Sequence, residues 1–405
     1  MILIIGGGIG GLTLALTLHR AGIACTVFEA ASEIRQAGVG VNILPHASAE
    51  LAALGLRPAL EAAGVQTRDA WFFNRFGQLI HKEPLGLAAG YAHPQFSIHR
   101  GDLQGILLRA ATERLGSGSI VTGKRLTHLT QDDAGATAHF ADGSSATGAA
   151  AIGCDGIHST LRRQFFPKEG PPRYSGVNMW RGVTAWAPFL SGAPMVRAGW
   201  LTHGKMVIYP IRDAIDDQGR QLVNWVAEIE TPQHLERDWN ARGRLQDFLP
   251  AFADWRFDWL DVPALIQGAE TVLEFPMVDQ DPLPRWSHGR ATLLGDAAHP
   301  MVPRGSNGAG QSILDAVALA RCLAGGGPVE TALHLYEGER LEATSAIVLQ
   351  NRSNPPDAIL REVWARTGDK PFGRIGDVIR EDELLAITGG YKRVAGYRLE
   401  DVAGR

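Results

Sequence analysis

The first thirty residues divide into two short apolar runs and, between them, a longer segment with helical spacing. The run ILII is rich in β-branched residues and CTVFE has a similar composition, so both favour strands. The segment GLTLALTLHRAG repeats apolar residues at helical intervals and ends at a glycine. This pattern predicts a β-α-β unit at the start of the chain.

Later segments repeat the alternation of strand and helix. AWFFNRFGQLIHK predicts a hairpin in a different sheet, and QFSIHRGDLQGILLRAATERLG predicts a strand that runs into an amphipathic helix. GRATLLGDAAHPMVPRGSNGAGQSILDAVALARCLAGG predicts a strand, a glycine-rich loop and a long helix. Further helices are predicted from about Ser48, from near Ser159, and from TALHLYEGERL to a break at Pro355.

Length and tryptophan distribution indicate more than one domain. A chain of 405 residues exceeds what a single core usually supports. Residues 175–284 hold seven of the ten tryptophans, which predicts a second domain with an aromatic interior. Such an interior favours a pocket for a flat apolar ligand.

Charge and composition narrow the range of partners. The formal net charge is -4, from 39 basic and 43 acidic residues, and no basic cluster suggests nucleic acid or anionic lipid. Glycines interrupt the first apolar run, and no Lys or Arg precedes it as a secretion signal requires. We therefore expect a cytoplasmic protein, either monomer or homodimer, with a small-molecule partner and neither nucleic acid nor membrane.

The cysteines suggest neither a disulfide framework nor a metal site. Cys25, Cys154 and Cys322 lie far apart among apolar residues. We expect three reduced thiols and no bound metal.

The glycines of the first unit fall where the first strand turns into the helix. Gly6 suits the tight turn, Gly8 lets the backbone approach a pyrophosphate, and Gly11 lets the helix pack on the strand. Glu29 closes the second strand, about 20 residues on, where an acid bonds ribose hydroxyls. The unit predicts dinucleotide binding, with NAD and FAD both open from this motif alone.

Two cationic positions follow the same unit. Gly38 and Gly40 bracket the next turn, and Arg35 precedes it. Arg100 lies at the junction of a predicted strand and helix, where a cation meets phosphate or sugar-chain oxygens. We take both arginines as candidates for cofactor binding.

Three separated motifs together carry a family resemblance. The segments GGGIGG, GCDGIHSTLRR and LLGDAAHPMVPRGSNGAG, in this order, resemble the FAD-dependent aromatic hydroxylases of the p-hydroxybenzoate and salicylate hydroxylase type. The resemblance implies an α/β fold, in which a Rossmann-like FAD-binding domain of the glutathione-reductase type is interleaved with a smaller mixed β-sheet substrate domain. C-terminal helices follow these two domains.

We divide the chain accordingly. The FAD-binding domain is expected in residues 1–70, 97–174 and 285–350, the substrate domain in residues 71–96 and 175–284, and a helical tail in residues 351–405.

The resemblance assigns candidate contacts to FAD. Asp296 would bond the ribityl hydroxyls, and the amides of Gly308 and Ala309 would face the N1 and O2 edge of the flavin. Asp155 and Gly156 match a motif associated with both FAD and the pyridine nucleotide. The full set of candidates is Gly6, Gly8, Gly11, Glu29, Arg35, Gly40, Arg100, Gln104, Asp155, Gly156, Asp296, Gly305, Gly308 and Ala309.

The implied reaction is hydroxylation of an aromatic or N-heteroaromatic ring. FAD reduced by NADH or NADPH would react with O2 to a C4a-hydroperoxide, whose outer oxygen passes to the ring, so the flavin carries the chemistry and no side chain is assigned as catalytic. Candidates for the substrate wall are Asn42, Arg181, Tyr209 and Pro303. Some relatives place a histidine base where Asn42 stands, and an asparagine takes no proton at neutral pH. Either another base serves, or the substrate is activated by its own ring heteroatom or amine.

Alternatives stay open from sequence. Within the family the layout is closest to hydroxylases that modify phenazines, but a shared framework does not fix the substrate or the choice between NADH and NADPH. A flavin oxidoreductase of the same fold that does not hydroxylate a ring, and a binding protein without catalysis, are the competing interpretations.

Overall fold

The computed structural model describes residues 1–34, 38–232 and 242–402. The strands, in chain order, are β1 (Ile2–Ile5), β2 (Cys25–Phe28), β3 (Gly40–Ile43), β4 (Val65–Thr67), β5 (Asp69–Phe73), β6 (Leu79–Pro84), β7 (Gln95–His99), β8 (Ile120–Val121), β9 (Leu126–Gln131), β10 (Ala136–Phe140), β11 (Ser145–Gly148), β12 (Ala150–Gly153), β13 (Arg173–Trp186), β14 (Pro194–Gly199), β15 (Lys205–Arg212), β16 (Gln221–Glu230), β17 (Arg256–Phe257), β18 (Leu260–Asp261), β19 (Val272–Asp279) and β20 (Ala291–Leu293).

The α-helices are α1 (Ile9–Arg20), α2 (Pro45–Ala53), α3 (Arg57–Ala63), α4 (Arg100–Leu115), α5 (Thr160–Phe165), α6 (Leu245–Phe248), α7 (Val262–Gln267), α8 (Gly308–Ala324), α9 (Val329–Ser353), α10 (Ala358–Thr367), α11 (Glu381–Val394) and α12 (Leu399–Val402). Among these helices, none is long and apolar enough to cross a bilayer.

A five-stranded parallel sheet with the order β20-β12-β1-β2-β8 forms one layer. Every residue of β1 and β12 is buried, as expected for strands covered on both faces. Leu14 and Leu18 of α1 and Leu319 of α8 belong to the core of this sheet. The predicted β-α-β unit is therefore confirmed as β1-α1-β2.

The start of α2 differs from the sequence-based prediction. The helix begins at Pro45, before the predicted start near Ser48. Proline has the fixed φ of a first helical turn and loses no hydrogen bond there, so it extends the helix toward its N-terminus.

A seven-stranded sheet with the order β19-β13-β16-β15-β14-β5-β6 forms the second layer. It is antiparallel except where β14 pairs with β5. The predicted hairpin is confirmed as β5-β6, and the predicted aromatic interior is found in a core that contains Trp180, Trp225 and Trp255. The ring of Trp180 stacks on Phe248 with 5.0 Å between centroids.

A small antiparallel sheet, β3-β7-β4, connects these two layers. β7 packs against β15 of the seven-stranded sheet, and β3 packs against α8. The side chains of β3 therefore lie between the layers. The division of the chain into two domains and a tail stays a prediction.

A buried ionic cluster holds the C-terminal helices against the seven-stranded sheet. Asp357, just before α10, bonds Lys205 of β15 and lies 3.0 Å from Arg197 of β14. Lys205 also contacts Glu228 of β16 at 2.9 Å. Burial alone would raise the pKa of the Asp357 carboxyl, but the charges of Lys205 and Arg197 prevail and lower it.

We predict that Asp357→Asn lowers the free energy of unfolding by about 3–5 kcal/mol at neutral pH, because it leaves buried cations without a partner. The matched control is Asp382→Asn, which breaks an exposed pair with Arg380 and leaves stability close to that of the wild type. Urea unfolding measures both variants.

The contribution of Asp357 to the free energy of unfolding depends on pH in a defined direction. The pKa of Asp357 is depressed on folding, so its contribution is present above the unfolded-state pKa and is lost as pH falls through the folded-state pKa. The difference in free energy of unfolding between the wild type and Asp357→Asn should therefore become smaller at acid pH. Equal losses in Asp357→Asn and Asp382→Asn at neutral pH would contradict this account.

Candidate active site

Two connected cavities lie beyond the carboxyl ends of the parallel strands. The larger has a volume of about 780 Å³ and the smaller about 300 Å³. Both are lined by Gly8, Arg100, Cys154 and Gly156, so they form one continuous cleft. Among the described residues, no group of histidine, cysteine and acidic side chains could hold a metal ion there or elsewhere.

The glycine loop between β1 and α1 forms the floor of the cleft. Gly6 has a φ of 114°, and a Cβ on Gly11 would overlap the carbonyl oxygen of Gly6. A Cβ on Gly8 would meet nothing within 4 Å, although Gly8 lines both cavities. Gly11 is therefore required by packing, whereas Gly8 leaves open the face that a ligand would approach.

Two side chains brace this loop. Glu29 accepts the N–H of Gly7 on Oε2 at 2.8 Å and the N–H of Ala31 on Oε1 at 2.7 Å. Gln104 donates from Nε2 to the carbonyl of Gly7 at 2.9 Å. Both side chains also line the larger cavity, so they can order the loop and contact a ligand together.

Arg100 is the first residue of α4 and lies where both cavities meet. Its backbone N–H donates to the carbonyl of Val39 at 2.9 Å, while its side chain is exposed toward the cleft. Arg35, the other cation predicted from sequence, lies outside the described residues.

The turn after β12 carries Asp155 and Gly156. The Oδ2 atom of Asp155 accepts the N–H of Thr160, at the start of α5, at 2.7 Å. Burial raises the pKa of the Asp155 carboxyl, and the hydroxyl of Ser159 opposes this shift.

Arg162, in the same motif, was not among the predicted site residues. Its Nη1 donates to the carbonyls of Ala297 and Ala298 at 3.1 and 2.7 Å, and its guanidinium pairs with Glu169. The second sequence motif therefore holds the third in place.

Asp296 follows β20 in a 3-10 turn, Gly295–Ala297, and faces the smaller cavity. Desolvation by the surrounding protein raises the pKa of its carboxyl, and the neighbouring His299 and Arg100 oppose this shift. A Cβ on Gly308 would lie 3.8 Å from its Oδ1 atom, so the carboxylate is next to the start of α8.

A buried triad that sequence reasoning missed supports this turn. The Oδ2 atom of Asp315 lies 2.6 Å from His299 Nε2 and accepts the N–H of Gly295 at 3.1 Å. Arg340 donates to Asp315 Oδ1 at 2.8 Å. Burial alone would raise the pKa of Asp315, but His299 and Arg340 together lower it. The available signal was an acid on the apolar face of a long helix.

The loop of residues 303–310, here named the α8 loop, forms one wall of the smaller cavity. Pro303, Gly308 and Ala309 line this wall, and Gly305 adopts a φ of 79°. The first N–H groups of α8 have no acceptor within the helix, and the helix dipole makes this end positive. The wall can therefore stabilise negative charge.

Arg181, Tyr209 and Asn42 form the opposite wall. Arg181 donates from Nη2 to the carbonyl of Gly40 at 2.8 Å, and the side chains of Arg181 and Asn42 both lie near the hydroxyl of Tyr209. Burial raises the pKa of Tyr209, and Arg181 offsets part of that rise, so the phenol stays protonated at neutral pH. The N–H of Gly40 donates to Asn224 Oδ1 at 2.7 Å.

A chain of hydrogen bonds fixes the orientation of Asn42. The hydroxyl of Ser97 donates to Asn42 Oδ1 at 2.6 Å, and Ser97 in turn lies 2.7 Å from the hydroxyl of Thr67. Because Oδ1 is held by Ser97, the amide NH2 is the end of the Asn42 side chain that can donate to a neighbour or a ligand.

Comparison with known proteins identifies relatives across almost the whole chain. The family described as FAD binding domain matches residues 1–351. The chain is 42% identical over 403 residues to the phenazine 1,6-dicarboxylic acid hydroxylase PhzS of Lysobacter antibioticus, which covers 97% of this chain and 96% of the relative. It is 37% identical over 362 residues to a 3-amino-4-hydroxybenzoate 2-monooxygenase of Streptomyces platensis, covering 87% of this chain and 86% of the relative.

The fold is also similar, over almost the whole chain, to that of a solved structure. HpxO of Klebsiella pneumoniae, complexed with FAD and uric acid, matches with a TM-score of 0.78 and 26% identity, covering 98% of this chain and 96% of HpxO. The predicted fold class, FAD cofactor and aromatic hydroxylase family are thereby confirmed.

We predict that Gly8→Ala folds normally but binds FAD at least tenfold more weakly. The added Cβ meets no protein atom and projects into the cleft. The thermal midpoint of the apoprotein and an FAD titration measure the two effects. Gly118→Ala, which also adds a Cβ in open space but away from the cleft, should change neither. Wild-type FAD affinity in Gly8→Ala would show that the cofactor does not approach this glycine.

Proposed function

The chain belongs to the FAD binding domain family of FAD-dependent aromatic hydroxylases, and we propose that its substrate is a planar aromatic or N-heteroaromatic carboxylate of the phenazine type. The net reaction of this class consumes a ring C–H bond, O2, NADH or NADPH and a proton. It yields a ring hydroxyl, the oxidised nucleotide and water.

The residues of the cleft fit FAD. The open face at Gly8 admits a phosphate, and Arg100 offers a cation at the junction of the two cavities. We assign Glu29 to the ribose, Asp296 to the ribityl hydroxyls, and the amides of Gly308 and Ala309 to the flavin edge. The proximity of Asp296 to Gly308 supports this placement, because ribityl chain and ring are adjacent in the cofactor.

When bound, FAD supplies the redox chemistry, passing electrons from the nicotinamide to O2 and one oxygen atom to the ring. The protein contributes charge stabilisation and orientation. The positive end of α8 would stabilise negative charge on the edge of the cofactor that faces it. The opposite wall, with Arg181 and Tyr209, orients the substrate.

The charge of Arg181 is the observation that carries the substrate proposal. Among the described residues it forms no ion pair, and its Nε has no hydrogen-bond partner. A largely buried cation without a counter-ion is unfavourable, so the site favours an anionic ligand. The names of both relatives described above give a carboxylated ring as the substrate, which supports a carboxylate as that anion.

Tyr209 and Asn42 define the second requirement on the substrate. The protonated Tyr209 lines the smaller cavity, and its hydroxyl can donate to a ring nitrogen or to an oxygen of the substrate. Neither Asn42 nor the protonated Tyr209 can act as a base at neutral pH. We therefore infer that the ring is electron-rich through its own heteroatom or amine.

We predict that Asp296→Ala raises the Kd of FAD about 10- to 100-fold, since a hydrogen bond to a charged group contributes about 1.5–3 kcal/mol. Titration of the apoprotein with FAD measures the change. The control Asp377→Ala removes an exposed carboxylate that pairs with Arg374 away from both cavities, and should leave FAD affinity unchanged. Unchanged flavin content in Asp296→Ala would contradict the ribityl assignment.

We predict that Arg181→Met raises the KM of a carboxylated phenazine about 10- to 100-fold with a smaller effect on kcat, because one charged hydrogen bond is lost. NADH or NADPH oxidation under O2, with a panel of phenazine, pyridine and benzene carboxylates, measures this change. The corresponding carboxamide tests the charge.

The carboxamide should have a high KM with the wild type, and Arg181→Met should raise that KM little further. For the carboxylic acid, Arg181→Lys should have a KM between those of the wild type and Arg181→Met. Equal losses for acid and amide would mean that Arg181 acts through packing and not through its charge.

A further inference from the structure

The α8 loop is held by a side chain from the C-terminal helices. The hydroxyl of Tyr391, on α11, accepts a hydrogen bond from Asn307 Nδ2 at 2.8 Å and donates to Asn351 Oδ1 at 2.7 Å. All three side chains are at most 1% exposed. Burial raises the pKa of Tyr391, so the hydroxyl keeps its proton at neutral pH and both bonds persist.

The backbone of the loop closes tightly on this hydroxyl. Gly305 adopts a φ of 79°, and a Cβ there would overlap the hydroxyl oxygen of Tyr391. The same oxygen lies 3.4 Å from the carbonyl of Arg304. On the other side, Asn351 donates from Nδ2 to the carbonyl of Val302 at 3.3 Å. The loop is therefore fixed by Tyr391 and Asn351 at several points.

Asn307 transmits this restraint to the start of α8. It directly precedes Gly308, its carbonyl accepts the N–H of Gln311 at 2.8 Å, and it lines the smaller cavity. A shift of Asn307 must move the amides of Gly308 and Ala309. Tyr391 lies after the part of the chain that the FAD binding domain family matches, residues 1–351.

The C-terminal helices are themselves rigidly placed. The Asp357 cluster anchors α10, and Lys392, beside Tyr391 in α11, pairs with Glu83 of β6 at 2.8 Å. Tyr391 therefore has a fixed position relative to the seven-stranded sheet as well as to the α8 loop.

We propose that Tyr391 is a positioning residue for the flavin, which acts through Asn307 to hold the α8 amides against the N1 and O2 edge and so favours the reduced cofactor. The physical basis is that preorganised donors stabilise negative charge only where they are held in place. The proposal rests on FAD binding in this cleft, as assigned above, and not on the choice of substrate.

The test is a redox titration of the bound FAD in Tyr391→Phe, with the holoenzyme and no substrate. We expect about a tenfold shift of the two-electron equilibrium toward oxidised flavin, which corresponds to about 30 mV, and about tenfold weaker FAD binding. The matched control is Tyr174→Phe, which removes a hydroxyl on β13 that hydrogen-bonds Thr231, the residue after β16. It should change neither quantity.

A double-variant experiment distinguishes positioning from general destabilisation. Asn307→Ala should shift the potential in the same direction, and adding Tyr391→Phe should shift it little further, because both act through one contact. If Tyr391→Phe does not fold, Asn307→Ala alone decides the question.

The proposal would be overturned if the flavin potential of either Tyr391→Phe or Asn307→Ala equals that of the wild type. It would also be overturned if the two shifts add in the double variant. Failure of every carboxylated ring as a substrate would refute the proposed substrate class and leave this result unaffected.

Discussion

The parallel register of β1, β12 and β20 is the constraint on which the site depends. Ile5 pairs with Gly153, and Gly153 pairs with Leu293, so the three strands end at the same level. The first sequence motif begins directly after Ile5, and the second and third begin at Gly153 and Leu293. Although they are separated by more than a hundred residues in the chain, they must therefore meet at one edge of the sheet, where ligands of α/β folds bind.

Some charged side chains around the site are paired with a side chain of opposite charge, and others are not. Asp315 and Asp357 are buried with cations that lower the pKa of each carboxyl, and both serve to hold loops or helices in position. Asp296 and Arg181 face the cleft and form no salt bridge with any residue that the structure describes. Desolvation therefore raises the pKa of the Asp296 carboxyl and lowers the pKa of the Arg181 guanidinium. The groups with unbalanced charge are those to which we assign ligands.

Most residues of the proposed cofactor site can be selected from the sequence, because the features that mark them are local. Gly6, Gly8 and Gly11 belong to one strand-turn-helix unit. Asp155 and Asp296 lie two and three residues after the ends of the short strands β12 and β20. Contacts between distant segments were not predictable in this way. The salt bridge of Asp315 with Arg340 requires the packing of α8 on α9, and the contact of Tyr391 with Asn307 requires the path of the C-terminal helices. The identity of the substrate depends on the three-dimensional wall formed by β3, β13 and β15, which no single motif specifies.

The most direct test of the central claim is isotope incorporation. Purified holoenzyme would be supplied with NADH or NADPH, a carboxylated phenazine and ¹⁸O2, and the product analysed by mass spectrometry. The account predicts one ¹⁸O atom in a ring hydroxyl of the product, with nucleotide oxidation accelerated by the substrate. Nucleotide oxidation that yields only hydrogen peroxide, or a product whose new oxygen comes from water, would contradict it.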